Sequence, residues 1–248
     1  MPNLACMKIS GFHKQMGDQI HLLTEYSGFN EFDKVYLSKV FTATRYPPEV
    51  LKMENVEYGG TGFYLDQAPE LPYEIEHAMP DYSLYADWLK GKGEEGKKSK
   101  KYKYYRDYSI GFLTRGCFRH CPFCVNKNKT VSVPASPVYE FYNPQKKKIC
   151  LLDDNFLACG EWSALLGQLR ETGRPVQFRQ GLDIRLITRQ KSRELASCRL
   201  DGDLLFAFDN IKDKETVIEK MKIINPISIE KQKVQRWKGP TACVFYLE

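Results

Sequence analysis

The chain has 248 residues and a net charge of +6, with 42% hydrophobic and 27% charged residues. These proportions are ordinary for a globular protein that is large enough to bury a core, as one domain or two. No apolar run approaches the roughly 20 residues that cross a bilayer, and the N-terminus lacks the pattern of a signal peptide. We therefore expect a cytoplasmic protein with no membrane partner, whose eight scattered cysteines do not form a disulfide framework.

The N-terminal part of the sequence predicts an α/β layer. Apolar residues at near-helical spacing indicate a helix over residues 3–17 that ends at Gly17. Strand-like runs follow at 19–23 and 34–38, and a helix followed by strands at this spacing suggests a parallel sheet. The Gly-Gly-Thr-Gly run at 59–62 fits a tight turn better than a phosphate-binding loop, because no Lys-Ser/Thr pair follows it.

A basic stretch follows. Between Lys90 and Arg106 lie eight basic residues against two acidic ones, with three tyrosines interleaved. Such a stretch can bind nucleic acid through phosphate contacts and base stacking. A solvated interdomain linker is the favoured interpretation, and nucleic acid stays open as a less favoured partner.

From residue 108 onward the pattern repeats as strand, loop and helix. Strands are predicted at 108–114, 148–154, 175–178 and 202–209, and a fifth at 242–247, for which 226–230 is the alternative. Helices are predicted at 162–171, with Gly173 just past its end, and at 214–224. Repeating βα units build parallel sheets whose polar loops gather at the C-terminal ends of the strands.

Three cysteines follow the strand at 108–114: Cys117, Cys121 and Cys124 are separated by three and then two residues. Cysteines set this closely can turn their sulfurs toward one point, as a metal or cluster requires. An iron–sulfur cubane ordinarily takes four thiolates, so three imply a fourth ligand elsewhere or an iron left open. The spacing matches neither the ferredoxin patterns nor paired zinc motifs. A zinc knuckle completed by His120 or a distant cysteine is the alternative.

This spacing, with an aromatic residue just before the last cysteine, resembles the signature of the radical S-adenosylmethionine (SAM) superfamily. The resemblance implies that Cys117, Cys121 and Cys124 hold a [4Fe-4S] cluster and that SAM chelates its fourth iron. Phe123 stands where the family's aromatic residue packs near the adenine. The implied enzyme cleaves SAM reductively to a 5′-deoxyadenosyl radical that acts on an unknown substrate, with a reductant such as flavodoxin or ferredoxin.

The resemblance also assigns SAM contacts at the strand ends. Asp153, Asp154 and Asn155 end the second strand, where the family commonly has a short motif that meets the amino group of SAM. An acidic group suits this place because it can hold a cationic amine. Capping of the next helix is the alternative for the two aspartates.

Two further residues are expected to contact SAM. Arg185, at the far end of the third strand, suits the SAM carboxylate as a charge-assisted partner, and Asp209, at the end of the fourth strand, suits the ribose hydroxyls. Arg179 and Asp183 lie on the same segment as Arg185 and are alternatives for these roles.

The N-terminal part, including residues 34–42 and 59–63, resembles the cobalamin-binding-like domain of radical SAM proteins. We do not expect cobalamin itself, because the Asp-x-His-x-x-Gly signature is absent around His13, which is assigned a packing or surface role. The fold class expected is α/β: a Rossmann-like domain at 1–88, the basic linker at 89–107 and a partial (β/α) radical SAM barrel at 108–248.

The pattern also predicts truncation at both ends, because no strand precedes the first helix and the barrel stops at the fifth of the family's six strands. Two other functions stay open. A tRNA-modifying methylthiotransferase-like protein would usually bring a second cysteine set, whereas the N-terminal domain offers Cys6 alone. A zinc-stabilised nucleic-acid-binding module is the alternative from another class.

Overall fold

The computed structural model describes residues 1–126 and 128–224, and the backbone of 243–247. The chain divides into two compact units. The first comprises Met1–Tyr105 with Cys121–Asn128, and the second comprises Arg106–His120 with Lys129–Glu248. The segment 117–124, which carries Cys117, Cys121 and Cys124 and is called the cysteine loop below, therefore contributes residues to both units.

The part of the chain up to Arg106 contains short helices and one two-stranded parallel sheet. Its strands are β1 (Val35–Ser38) and β2 (Val56–Gly59), with Val35 opposite Val56. Its helices are α1 (Leu4–Met16), α2 (Thr61–Tyr64), α3 (Tyr73–Glu76), α4 (Ala86–Gly91), α5 (Gly93–Lys98) and α6 (Lys103–Arg106).

The first helix is confirmed with both of its ends. The Asn3 side chain caps α1 by accepting from the backbone N–H of Cys6, and Gly17 ends it with a φ of 92°, a left-handed conformation that favours glycine. The strand predicted at 34–38 is confirmed as β1, but the prediction at 19–23 is wrong. Residues 19–22 alternate polar and apolar side chains, yet within the described ranges no other backbone pairs with 19–23 and none of these residues is buried.

The turn at 59–62 is confirmed by a close backbone approach. Gly60 has a φ of 103°, and a Cβ there would lie 2.4 Å from the carbonyl oxygen of Lys39. The basic stretch further along forms α4, α5 and α6 rather than an extended segment. Four aromatic rings in and just before this stretch pack with centroids 5.1–6.3 Å apart, edge to face except for the tilted pair of Trp88 and Tyr105; these rings belong to Tyr85, Trp88, Tyr102 and Tyr105.

The second unit holds the longer sheet. Its strands are β3 (Tyr108–Gly111), β4 (Thr114–Arg115), β5 (Val133–Pro134), β6 (Lys148–Leu151), β7 (Val176–Phe178), β8 (Leu204–Phe208) and β9 (Cys243–Leu247). Its helices are α7 (Trp162–Glu171), α8 (Arg189–Ala196) and α9 (Lys214–Ile224). The predictions for α7 and α9 are confirmed, and the five predicted strands are confirmed in position, each shorter than predicted and the first divided into β3 and β4. The sequence pattern does not indicate β5 or α8.

The parallel sheet has the strand order β3-β6-β7, with Gly111 opposite Leu151 and Leu151 opposite Phe178. Parallel bridges from Val176 to Leu200 and from Leu182 to Phe206 connect the β7 region to the β8 region. The fifth predicted strand, β9, is present but runs antiparallel to β8. Its alternative at 226–230 lies outside the described residues.

The chain is thus mixed α/β, as predicted, with small parallel sheets. Within the described ranges these sheets do not close into a barrel. None of the helices found there has the length and apolar composition that a membrane span requires.

The core of the second unit lies against the central strand β6, which is paired on both edges. Ile149 and Leu151 on β6 are fully buried, as is Leu166 on α7. Gly111 on β3 faces the ring of Phe141 so closely that a Cβ would lie 2.3 Å from it. This packing fixes the C-terminal ends of β3 and β6 side by side.

Candidate metal and cofactor site

Two consecutive carboxylates beyond the end of β6 bond the segment that leads to Cys117. Asp153 Oδ1 accepts from the backbone N–H of Thr114 at 2.6 Å and from its hydroxyl at 2.7 Å, while Oδ2 accepts from Leu113 N at 3.3 Å. Asp154 Oδ2 accepts from the N–H of Gly116 at 2.8 Å. The two aspartates bond this segment and do not act as the N-cap of the next helical turn, whose N-cap residue is Asn155.

Asn155, the next residue after the two aspartates, contacts Cys117 itself. Its Nδ2 lies 3.4 Å from the Sγ of Cys117 and 3.5 Å from Oδ2 of Asp183. The backbone carbonyl of Asn155 accepts from the Ser132 hydroxyl at 3.0 Å. The amide oxygen Oδ1 is buried, and no described residue donates a hydrogen bond to it.

The backbone before Cys117 is fixed by a glycine. Gly116 has a φ of 92°, and a Cβ there would lie 2.2 Å from the carbonyl oxygen of Val131. The antiparallel pairing of β4 with β5 brings Val133 opposite Arg115 and so holds the two segments against each other. A larger residue than glycine would push the cysteine loop away from this hairpin.

Asp183 is the centre of an ion-pair network in the second unit. Its carboxylate accepts from Arg119 Nε at 2.7 Å and from Arg185 Nε at 2.7 Å, and Arg185 also bonds Asp213 at 2.5 Å. Burial opposes ionisation of Asp183, but the hydrogen bonds from Arg185 and then Arg119 outweigh it and lower its pKa. Because Arg119 belongs to the cysteine loop, this carboxylate ties the loop to the chain beyond β7.

The pKa of Asp153 is shifted in the opposite direction from that of Asp183. Its side chain is buried, and burial raises its pKa to about 7, although the hydrogen bonds from Thr114 and Leu113 act in the other direction. Removing a carboxylate from water disfavours its charged form, and no cation pairs with this one among its described contacts. The carboxyl group therefore changes charge near neutral pH.

The other two cysteines belong to the first unit. The N–H of Cys124 donates to the carbonyl oxygen of Cys121 at 2.9 Å, and the N–H of Asn126 lies 3.4 Å from the Sγ of Cys124. All three cysteines of this loop are partly exposed, and none forms a disulfide with another described cysteine. In the part of the chain that the structure describes, no three His, Cys, Asp or Glu side chains are grouped so that they could hold a metal ion.

No protein-family model, curated protein or solved structure matches this chain. A functional interpretation therefore depends on the chemistry of its own residues. The predicted SAM contacts lie in different surroundings. Asp154 and Asn155 bond the segment around Cys117, whereas Arg185 already bonds two carboxylates. Asp209, just past β8, and Phe123, in the cysteine loop, are exposed, the latter to 74%.

The sequence pattern does not indicate the partners that organise this region. It offers Asp183 only as an alternative SAM contact and assigns no role to Arg119. One signal for this ion pair is present in the sequence: Arg119 lies between Cys117 and Cys121. A partly buried arginine in such a loop requires a carboxylate partner, which the structure shows to be Asp183. Thr114 and Gly116 carried no comparable signal, since their contacts use the backbone.

Proposed function

We propose that this chain is a radical SAM enzyme in which Cys117, Cys121 and Cys124 hold a [4Fe-4S] cluster. When bound, the cluster and SAM supply reductive cleavage of SAM to a 5′-deoxyadenosyl radical, which acts on an unknown substrate. The observation that carries the proposal is the place of the first cysteine. Cys117 lies beyond the C-terminal end of β3, and its sulfur accepts a hydrogen bond from Asn155, which follows the neighbouring parallel strand β6.

Three cysteine thiols are the type of donor that a [4Fe-4S] cluster takes. Ligating thiolates are negatively charged, and hydrogen bonds to their sulfurs stabilise that charge. The Asn155 amide reaches Cys117, and the N–H of Asn126 reaches Cys124. The three cysteines are partly exposed, and none of them is joined in a disulfide to another described cysteine.

Residues that follow β6 would hold the segment before Cys117 in place and would also bind SAM. Asp153 is fully engaged with Leu113 and Thr114, whereas Asp154 is half-buried and uses Oδ2 for Gly116. Asp154 is therefore the better partner for the cationic amine of SAM. Contact between Arg185 and the SAM carboxylate requires that Arg185 release Asp183 or Asp213, and the assignments of Asp209 to the ribose and Phe123 to the adenine stay predictions.

The proposal also assigns a fold to each part of the chain. Residues 1–88 would form a Rossmann-like, cobalamin-binding-like domain, and 108–248 a partial radical SAM barrel. The parallel order β3-β6-β7 and the position of α7 between β6 and β7 support the barrel assignment. An electron donor such as flavodoxin or ferredoxin and a cytoplasmic location belong to the same proposal.

Metal content tests the proposal. Anaerobic reconstitution with iron and sulfide should load about four irons per chain and give a brown protein. Addition of dithionite and SAM should then release 5′-deoxyadenosine. Cys121→Ala should lose most of the iron, while Cys6→Ala, which removes another partly exposed thiol of the first unit, should keep it.

Two results would contradict the proposal. A colourless protein that takes up zinc in place of iron would favour the zinc-stabilised module. Full iron content and an unchanged visible spectrum in Cys121→Ala would show that this cysteine is not a ligand.

A further inference from the structure

Residues 86–105 of the first unit present a group of lysines on short helices; they are called the lysine-rich segment below. The segment contains seven lysines, no arginine and three acidic residues, so it carries four of the chain's six net positive charges. Four of the lysine side chains are 69–81% exposed; they belong to Lys90, Lys97, Lys98 and Lys101. The positive charge of the chain is therefore concentrated on one solvated part of the first unit.

The aromatic rings of this segment hold its helices together. Tyr102 is buried, and its ring centroid lies 5.5 Å from that of Trp88, whose face is covered by the Lys92 ammonium at 5.1 Å. Gly96 on α5 approaches α4 so closely that a Cβ would lie 2.3 Å from the carbonyl oxygen of Leu89. None of the segment's four aromatic side chains is exposed. The lysines are thus carried by a packed scaffold whose rings are not presented to the bases of a nucleic acid.

Three of the lysines gather around two adjacent carboxylates. Lys97 and Lys98 pair with Glu94 at 3.0 and 2.9 Å, and the Nζ of Lys101 lies 3.9 Å from a carboxylate oxygen of Glu95. Ion pairs this exposed to water add little stability, so an ammonium group loses little when it leaves its carboxylate for another anion. This part of the segment can therefore present three close positive charges to a row of phosphates.

The composition of the surface indicates the kind of partner. None of the chain's large exposed apolar side chains lies at residues 86–105, so the segment has nothing to insert into a bilayer. Interfaces between proteins are enriched in arginine and depleted in lysine, whereas this surface has lysine alone. Lysine binds phosphate as a point charge, without the fixed geometry that lets arginine pair with a base edge. These features fit the phosphate backbone of a nucleic acid.

We propose that the lysine-rich segment binds the phosphate backbone of a nucleic-acid duplex without reading its sequence. A duplex carries one negative charge for about every 1.7 Å of its axis, and its paired bases need no stacking partner from the protein. DNA and RNA duplexes share this backbone, so both are probes. The proposal is independent of the proposed function, because it concerns side chains of the metal-free chain.

Fluorescence anisotropy of short labelled DNA and RNA duplexes, titrated with the full metal-free chain, tests the proposal. The affinity should fall steeply between about 50 and 200 mM salt, and a single strand of the same sequence should bind more weakly. The triple variant Lys97→Gln, Lys98→Gln and Lys101→Gln should bind at least about tenfold more weakly at the lower salt concentration. The double variant Glu94→Gln and Glu95→Gln should bind more tightly, because it removes the carboxylates that compete with phosphate.

α9 and the residues just before it provide matched controls in the second unit. Replacement of the exposed Lys212, Lys214 and Lys222 by Gln changes the net charge as the lysine triple variant does, and replacement of Glu215 and Glu219 matches the glutamate variant. Both controls should alter the affinity much less than their counterparts, with circular dichroism verifying that each variant is folded.

Three results would overturn the proposal. Equal effects of the control and segment variants would assign the binding to the overall charge of the chain. Tighter binding of the single strand than of the duplex would assign it to base stacking. Binding to phosphatidylserine vesicles without binding to either duplex would assign the lysines to a membrane surface. Each of these leaves the proposed function intact, since iron content and SAM cleavage are measured separately.

Discussion

The buried Asp153 should make the stability of the second unit depend on pH in a specific direction. Its pKa is about 7 in the folded chain, against an ordinary value of 3.8. The folded state therefore retains a proton between about pH 4 and pH 7 that the unfolded state releases. The stabilisation linked to this group is fully present below pH 4 and is lost as the pH rises through 7.

The size of the effect follows from the shift in pKa. A difference of about three units, at about 1.4 kcal/mol per unit, is on the order of 4 kcal/mol. Asp153→Asn has no proton to lose. The free energy of unfolding of the unmodified chain, relative to that of the Asn variant, should therefore decrease by that order between about pH 4 and pH 8.

Urea unfolding followed by circular dichroism, at a series of pH values, measures this difference. Thr114→Val provides an informative second variant, because the Thr114 hydroxyl donates to Asp153 Oδ1 at 2.7 Å and favours the charged form. Its loss should extend the pH range of decreasing stability upward. A difference between the unmodified chain and Asp153→Asn that is constant with pH would refute the reasoning.

Three further outcomes are expected. Gly111→Ala should destabilise the second unit by about 1–3 kcal/mol in urea unfolding, because the added methyl group meets the ring of Phe141; an unchanged midpoint would contradict this contact. Leu166→Ala should cost about 2–5 kcal/mol by the same assay, since the side chain is fully buried, and a loss below 1 kcal/mol would argue against that burial. Arg119→Met removes the ion pair to Asp183 and should speed amide hydrogen exchange in the cysteine loop of the metal-free chain, whereas unchanged exchange would mean that this pair does not hold the loop.

The regular elements with strong local signals could be predicted from the sequence. α7 combines an apolar helical period with Gly173 beyond its end, and the φ of 63° at Gly173 explains why glycine stops the helix there. Residues 149–151 of β6 form a continuous apolar run because both faces of this strand are buried, so successive side chains on opposite faces all lie in the core. These signals lie within a few residues of the element that they define.

The strand predicted at 19–23 is wrong because a local sequence pattern does not show whether a partner strand lies beside it. A strand forms only where another backbone supplies the hydrogen bonds, and β1 pairs with β2. The antiparallel direction of β9 likewise depends on how the chain returns to β8, and the apolar pattern of 242–247 is the same in either direction.

The candidate site was predictable only in part for the same reason. The spacing of the cysteines is a local signal, as is the polar run that begins at Asp153. The partners of that run lie about 40 residues earlier in the chain, and the bond between Arg119 and Asp183 joins residues 64 positions apart. Such contacts follow from the register of β3 with β6 and from the turn after β7, which the sequence pattern does not specify.

The distribution of the tryptophans gives each unit its own optical probe. Trp88 packs among the tyrosines of the first unit, and Trp162 begins α7 and packs against the core of the second. Trp237 lies outside the described residues, and Trp237→Phe would remove its emission. With Trp237 replaced, the Trp88→Phe variant keeps only Trp162, so its fluorescence would report unfolding of the second unit. The Trp162→Phe variant keeps only Trp88, so its fluorescence would report unfolding of the first. Coincident urea midpoints would mean that the units unfold in a single cooperative step, and separate midpoints would assign a stability to each.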